Sequence, residues 1–327
     1  MASHSKLETL DGTLEQISKG VGVQVIYTRL NTMPLSRVMI GICAHNEENN
    51  ITPLLRNLIS EQNIPKESKI LVVCSGCTDK TPQIVSSFEK KDSRIRPLIE
   101  SVRRGKSNAL NKIFEAARAE ADILILVNAD AIPEKGSISR LVSRFTTLKV
   151  GAVFAQPVPI KIPGDPCYGI VRLIWRLHHI ISMLDIPKLS AELCAVRTAY
   201  LQEIPENAVT DEPYIESAIR KRHKNILYAP EALVYIRCPT TIADLMRQRR
   251  RIWIGHMQLE KTTGYKVSTS SFKNMLRAIN ALQRSETIHV LQGLFLEILA
   301  YLEARILFSK GNIPFAWEPI KSTKAPI

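Results

Sequence analysis

The sequence predicts an α/β fold: a mostly parallel, Rossmann-like sheet with helices on both faces. Three observations carry that expectation. Short, almost wholly apolar runs recur at residues 38–43 (VMIGIC), 69–74 (KILVVC) and 122–127 (DILILV), the mark of strands buried on both sides. Segments with helical apolar spacing lie between them, as strand–helix–strand repetition requires. Polar stretches carrying an acid follow each run, and in such sheets ligands bind outside the carboxyl ends of the strands.

In chain order, residues 5–19 read as an amphipathic helix and 21–27 as a strand. After the strand at 38–43, residues 49–62 place Ile51, Leu54, Leu55, Leu58 and Ile59 at helical spacing. Residues 81–90 form a helix that tolerates Pro82 in its first turn. Residues 106–121 form another, with Leu110, Ile113, Phe114 and Ala117 on one face. A helix at 137–147 and a fourth strand at 150–155 follow. The expected organisation is an N-terminal extension (1–36), an α/β domain (37–240) and a C-terminal helical region with an arginine cluster (241–327).

The 327 residues are 45% hydrophobic and 23% charged, which excludes a mainly disordered, collagen-like or disulfide-scaffold chain. A chain of this size buries enough surface to fold without staples. Lys and Arg total 44 against 31 Asp and Glu, a net +13 that favours anionic partners without choosing among them. No apolar core of a secretory signal lies in residues 1–36, and the six cysteines sit in or beside apolar runs as reduced thiols would. The expected location is cytoplasmic, with peripheral contact at an anionic membrane face left open. Residues 168–184 (YGIVRLIWRLHHIISML) and 287–308 are apolar, but charges interrupt both before they reach a spanning length. For the first, a core or subunit-contact helix with snorkelling Arg172 and Arg176 is favoured over an interfacial one.

Several local patterns carry chemistry. Asn128-Ala129-Asp130 follows a strand directly, so two oxygen-bearing side chains two residues apart project to one side. Mg2+ or Mn2+ takes such ligands and keeps sites for phosphate oxygens; the plainer reading is that Asp130 caps a turn. Arg103-Arg104-Gly105-Lys106 precedes a helix and suits a phosphate, against a solvated basic turn. Cys74-Ser75-Gly76-Cys77 lacks the context of a redox motif. Asp211-Glu212-Pro213 offers a general base or simply a helix start. Arg247, Arg249, Arg250 and Arg251 lie beside Trp253, fit for diphosphate, lipid head groups or RNA, or for a solvated face. His256 has no metal spacing around it and reads as a satisfied structural histidine.

Singly these signals are weak; their order is specific. ICAHNEE, VVCSGCTDKT, RRGKSNALN, LILVNADAIPE, TDE and QRRRIW, from about Val38 to Gly255, resemble the family 2 glycosyltransferases with the GT-A fold. The resemblance implies a nucleotide-sugar donor, a divalent cation and a GT-A catalytic domain over 37–240. It matches Ala44, His45, Asn46 and Glu47 to the first nucleotide-contact loop and Ser75 through Asp79 to the second. Arg104, Gly105 and Lys106 match a basic segment near ribose and phosphate. Asn128 and Asp130 match the DxD motif, leaving Asp130 as the metal carboxylate. Asp211 and Glu212 match the ED motif that carries the base, and Gln248, Arg251 and Trp253 resemble QxxRW.

The chain departs from the family pattern at four points. Cys74 and Ser75 stand where members often have a base-contacting Asp, so the nucleobase is left open. The DxD reads NAD, the ED reads DE, and Ile252 takes the tryptophan position of QxxRW. The resemblance therefore implies a metal-dependent, inverting, non-processive transfer to an acceptor hydroxyl or phosphate. A lipid-linked acceptor and a soluble one both fit. The alternatives are a catalytically inactive sugar-nucleotide-binding protein and a nucleic-acid-binding module. The acidic strand ends argue against the second, so no nucleic acid is expected.

Overall fold

The computed structural model describes residues 37–184, 187–282, 287–311, 313 and 320–324. The helix and strand expected at 5–19 and 21–27 lie outside the described residues. From Arg37 onward the chain is built on one eight-stranded sheet. Its strands are β1 (Val38–Ala44), β2 (Lys69–Ser75), β3 (Ile95–Glu100), β4 (Ile123–Val127), β5 (Ala131–Pro133), β6 (Val150–Pro159), β7 (Leu193–Arg197) and β8 (Asn225–Ile236). They lie in the order β3-β2-β1-β4-β7-β6-β8-β5.

The half β3-β2-β1-β4 is all parallel, as the buried apolar runs predict. The other half is mixed. β7 runs antiparallel to both β4 and β6, β5 is antiparallel to β8, and β6 and β8 are parallel with register shifts. Four strands escape the sequence pattern for physical reasons. β3 is an edge strand whose Arg96 and Pro97 break the apolar run. β5 spans three residues. β7 is short and fully buried, and β8 alternates around Pro230, with its partner register shifting nearby. β6 continues to Pro159, past the expected end at 155.

The helices are α1 (Ile51–Ser60), α2 (Thr81–Glu89), α3 (Lys106–Glu120), α4 (Ser137–Ser143), α5 (Tyr168–Met183), α6 (Glu212–Lys221), α7 (Ile242–Thr263), α8 (Phe272–Asn280) and α9 (Thr287–Ser309). The helix expected over 137–147 ends at Ser143, and the other expected helices agree within two residues at each end. Strand alternation divides the core into two layers. Ile40, Ile42, Ile70 and Val72 pack with Leu54, Leu55 and Leu58 of α1. Met39, Leu71, Val73 and Leu124 face the other way, onto Ile113 and Phe114 of α3. Each such fully buried side chain contributes about 1.5–3 kcal/mol against exposure. Gly41 lets α3 approach β1: a Cβ there would lie 2.4 Å from Ile113 Cγ2. That contact holds the N-terminus of α3, and Lys106 on it, over the strand ends.

α5 buries Ile170, Val171, Leu173 and Ile181 and packs against β6, α8 and α9, so its buried face belongs to the fold. α9 lies along α7 and α5. Among the described residues no helix is long and apolar enough to cross a membrane.

Candidate active site

The carboxyl ends of β1, β2 and β4 open onto one crevice, and each is followed by a polar loop. After β1, His45 Nδ1 hydrogen-bonds Ser75 O at 2.8 Å, and burial lowers the imidazole pKa. Asn46 adopts φ 55° and is clasped by Thr78: Thr78 N donates to its Oδ1 at 2.8 Å, and its Nδ2 donates to Thr78 Oγ1 at 3.1 Å. Glu47 N donates to Thr81 Oγ1 at 2.8 Å. Asp79 spends its carboxylate locally, accepting from Glu48 N at 3.0 Å and Thr81 N at 2.9 Å. After β2, Gly76 turns with φ 56°, and a Cβ there would stand 2.4 Å from Arg103 N. Only glycine allows this crossing of the two chains. The crossing carries Arg103 close enough to Arg251 for their charges to oppose each other, whereas Arg104 is exposed.

Cys74 and Cys77 are free thiols; Cys77 Sγ donates to Ala44 O at 3.6 Å, and the interaction between the two thiols raises the pKa of Cys74 and lowers that of Cys77.

The centre of the crevice is a line of polar contacts. Lys106 Nζ sits 3.0 Å from Asp211 Oδ2 and donates to Asn128 Oδ1 at 3.1 Å. Asn128 Nδ2 donates to Glu192 Oε2 at 2.7 Å. Asp211 stands at the N-cap position of α6, yet its side chain makes no cap hydrogen bond and turns to Lys106 instead. The helix-start reading of Asp211 therefore accounts for its backbone and not its carboxylate. Burial opposes the charge on Lys106, but Asp211 and its neighbours outweigh it and raise the pKa, although 42% of the side chain stays exposed. Glu212 pairs separately with Lys188, at 2.9 Å. Burial opposes that carboxylate's charge too, and Lys188 overcomes it, leaving the pKa below the usual value.

Asp130 is half-buried in the turn between β4 and β5, and burial raises its pKa against the pull of Lys106, Arg237 and Arg251. Glu192 is pushed up to about 7, first by burial and then by the charge of Asp130. Two hard carboxylates, one of which raises the proton affinity of the other, are the donor chemistry of a divalent cation. Among the described residues no three His, Cys, Asp or Glu side chains gather as a metal cluster. A cation here would fill its shell from water and a ligand's phosphates, as Mg2+ ordinarily does.

Sequence reasoning missed Glu192, Lys188 and Arg237, and its family matching took Arg104 rather than Arg103 from the basic run. Glu192 precedes β7, and because β7 is antiparallel its start lies beside the end of β4, with Val127 opposite Leu193. No local signal marks it. Arg103 was legible as part of the basic run, and the crossing at Gly76 brings it, rather than Arg104, against Arg251.

The arginine cluster divides. Arg249 pairs with Glu297 at 2.5 Å and Arg250 with Glu303 at 3.0 Å, both on α9, so these two do not form a purely solvated face. Arg251 is the one whose charge Asp130, Glu212 and Arg103 register. Trp253 donates from Nε1 to Glu297 at 2.8 Å and lies edge-on to Tyr301, so its indole is engaged with α9. Gln248 is half-buried on α7. His256 corrects the expectation of a satisfied histidine. Neither ring nitrogen has a hydrogen-bond partner among the described residues, and burial holds its pKa well below the usual value.

The sequence model of the family described as "Glycosyl transferase family 2" matches residues 39–204, half of the chain. The probable glycosyltransferase YdaM of Bacillus subtilis is 33% identical over 132 residues, 39% of this chain and 31% of YdaM. The beta-monoglucosyldiacylglycerol synthase of a Nostoc species is 31% identical over 118 residues, 36% of this chain and 25% of that protein. The chain thus spans less than a third of the length of these curated relatives. Among solved structures, a mannosyltransferase of Pyrobaculum calidifontis in complex with GDP-Man and Mn2+ superposes with a TM-score of 0.58. It is 20% identical, and the match covers 89% of this chain and 84% of that one, a likeness of fold.

Proposed function

The chain belongs to glycosyl transferase family 2, and from that membership we propose that it moves a sugar from a nucleotide-sugar donor to an acceptor hydroxyl or phosphate, with metal and with inversion. The observation that carries the reading is the contact line Asp211–Lys106–Asn128–Glu192 beside Asp130, at the strand ends where such sheets bind ligands. The donor's nucleotide lies against loops 44–47 and 75–79. Arg104, Gly105, Lys106, Gln248, Arg251 and Trp253 are the remaining donor-side residues, with Lys106 and Arg251 offering charge to the diphosphate.

Asp130 would hold Mg2+ or Mn2+, with Glu192 the carboxylate at hand; such an ion would supply Lewis-acid neutralisation of the departing diphosphate. Support for that metal comes from the Pyrobaculum structure, which holds GDP-Man and Mn2+. Glu212 takes the acceptor proton as the acceptor oxygen attacks the anomeric carbon. Its side chain is 32% exposed against 12% for Asp211, so it is the one an acceptor reaches, while Lys188 keeps it ionised. A single displacement needs no protein nucleophile and inverts the anomeric centre. Holding both substrates in one crevice supplies the orientation.

The acceptor is lipid-linked and met at an anionic membrane face. The Nostoc relative is named for a diacylglycerol product. α9 exposes Leu291, Phe295, Ile298, Leu302 and Ile306 along one side, α8 carries exposed Lys273 and Arg277 around Leu276, and the chain is +13 overall. Melting curves with a panel of nucleotide sugars, with and without Mn2+, test the core of the reading. One donor should raise the melting point in a Mn2+-dependent way, and Asp130→Ala should lose the Mn2+-dependent part. No shift with any donor would sink it.

A further inference from the structure

The segment 320–324 runs between the start of α7 and the turn that follows β1, and is tied at both sides. On one side Ser322 Oγ donates to Asp244 Oδ2 at 2.7 Å and accepts from Thr240 N at 3.3 Å, at the start of α7. On the other, Asn49 Nδ2 donates to Lys324 O at 3.0 Å and Asn50 Nδ2 to Thr323 O at 3.5 Å. Between these ties, the Lys324 ammonium contacts Glu47 Oε1 directly.

Glu47 is 6% exposed, so its charge is largely removed from water. Its other oxygen accepts from Asn50 Nδ2 at 2.9 Å, and Lys324 supplies the compensating cation. A buried carboxylate stripped of its cation must move, protonate or rehydrate. Glu47 O accepts from both Asn50 N and Ile51 N, and Glu47 N is bound to Thr81, so the side chain is coupled to the loop that presents His45 and the positive-φ Asn46. The charge of Lys324 also reaches the His45 ring.

We propose that segment 320–324 is part of the donor-binding apparatus, with Lys324 a positioning residue that locks Glu47 and so holds loop 44–47 in its nucleotide-receiving form. The inference rests on the reading of that loop as a nucleotide contact. It assigns a donor-side task to a stretch far outside residues 39–204, the part of the chain that the family model matches.

The test is titration calorimetry with UDP, GDP, ADP, CDP and dTDP in Mn2+, on the wild type and on Lys324→Met, Lys324→Arg and the double variant Glu47→Gln/Lys324→Met. One nucleotide should bind the wild type. Lys324→Met should bind it about 10-fold or more weakly. Lys324→Arg should stay within about 3-fold, and the double variant should regain part of the loss, because no unpaired carboxylate remains. With the matching sugar nucleotide, Lys324→Met should raise the donor KM and leave kcat at saturation little changed. Equal binding by the wild type and a folded Lys324→Met overturns the role of Lys324 and leaves the transferase reading standing. Failure of the double variant to recover does the same. Failure of the wild type to bind any of the five nucleotides overturns the transferase reading and the inference about Lys324 with it.

Discussion

The two halves of the sheet meet at one crevice but hold it in different ways. On the parallel half, loops 44–47 and 75–79 are pinned mostly by hydrogen bonds with a neutral partner: Asn46 with Thr78, His45 with Ser75 O, Glu47 N with Thr81. On the mixed half, charges face each other in pairs: Asp211 with Lys106, Glu212 with Lys188, and Asp130 near Glu192 and Arg237. A mesh of neutral bonds keeps its geometry whatever binds, which suits recognition. Paired charges redistribute when a proton or a diphosphate arrives, which suits chemistry. Damage to the parallel half should therefore raise KM, and damage to the mixed half should lower kcat.

The largest effect expected is on the mixed half. Glu212→Gln should lower kcat by about 10²–10⁴-fold with the donor KM little changed. Asp211→Asn should cost less and act by loosening Lys106. If steady-state kinetics reverse the two, Asp211 is the base and the exposure argument fails. On the parallel half, Gly76→Ala forces a side chain into φ 56° against Arg103 N. It should cost about 1–3 kcal/mol in denaturant unfolding and raise the donor KM, with kcat at saturation kept. A kcat loss without a KM change would erase the distinction between the halves.

The smallest effect concerns acid. His178 Nε2 donates to Lys188 O at 3.0 Å, and burial takes the imidazole pKa down to about 3. The unfolded chain binds that proton near pH 6.5 and the folded chain does not, so stability is complete above about 6.5 and falls as pH drops. The slope is about 0.7 kcal/mol per pH unit at 6.5 and approaches about 1.4 a unit or more below it. Urea midpoints at pH 7.0, 6.0 and 5.5 should show this decline in the wild type and a flatter one in His178→Gln. Parallel curves would mean the imidazole is solvated after all.

The same division governs what could be read from the chain. β1, β2 and β4 are buried on both faces, so each is a continuous apolar run, and the loops after them are where the parallel-sheet rule looks. β7 is just as buried and as long as β4, but it is reversed, so its contribution to the crevice is the residue before it, Glu192. Arg237 follows β8, whose alternating pattern around Pro230 hides it as a strand. The DxD-like Asp130 could be recognised by motif; its neighbour Glu192 could not.

The sequence by itself determined the α/β class, the family, the strand-end loops and most of the charged side chains that line the crevice, because these follow from local periodicity and from motifs a few residues long. Only the tertiary structure decided which charges meet. Lys106 chooses Asp211, Lys188 chooses Glu212, Glu192 reaches Asn128, and Lys324 closes on Glu47 across 277 residues. Pairings of that kind depend on the direction and register of strands and on where a distant segment returns, and no short stretch of sequence encodes either.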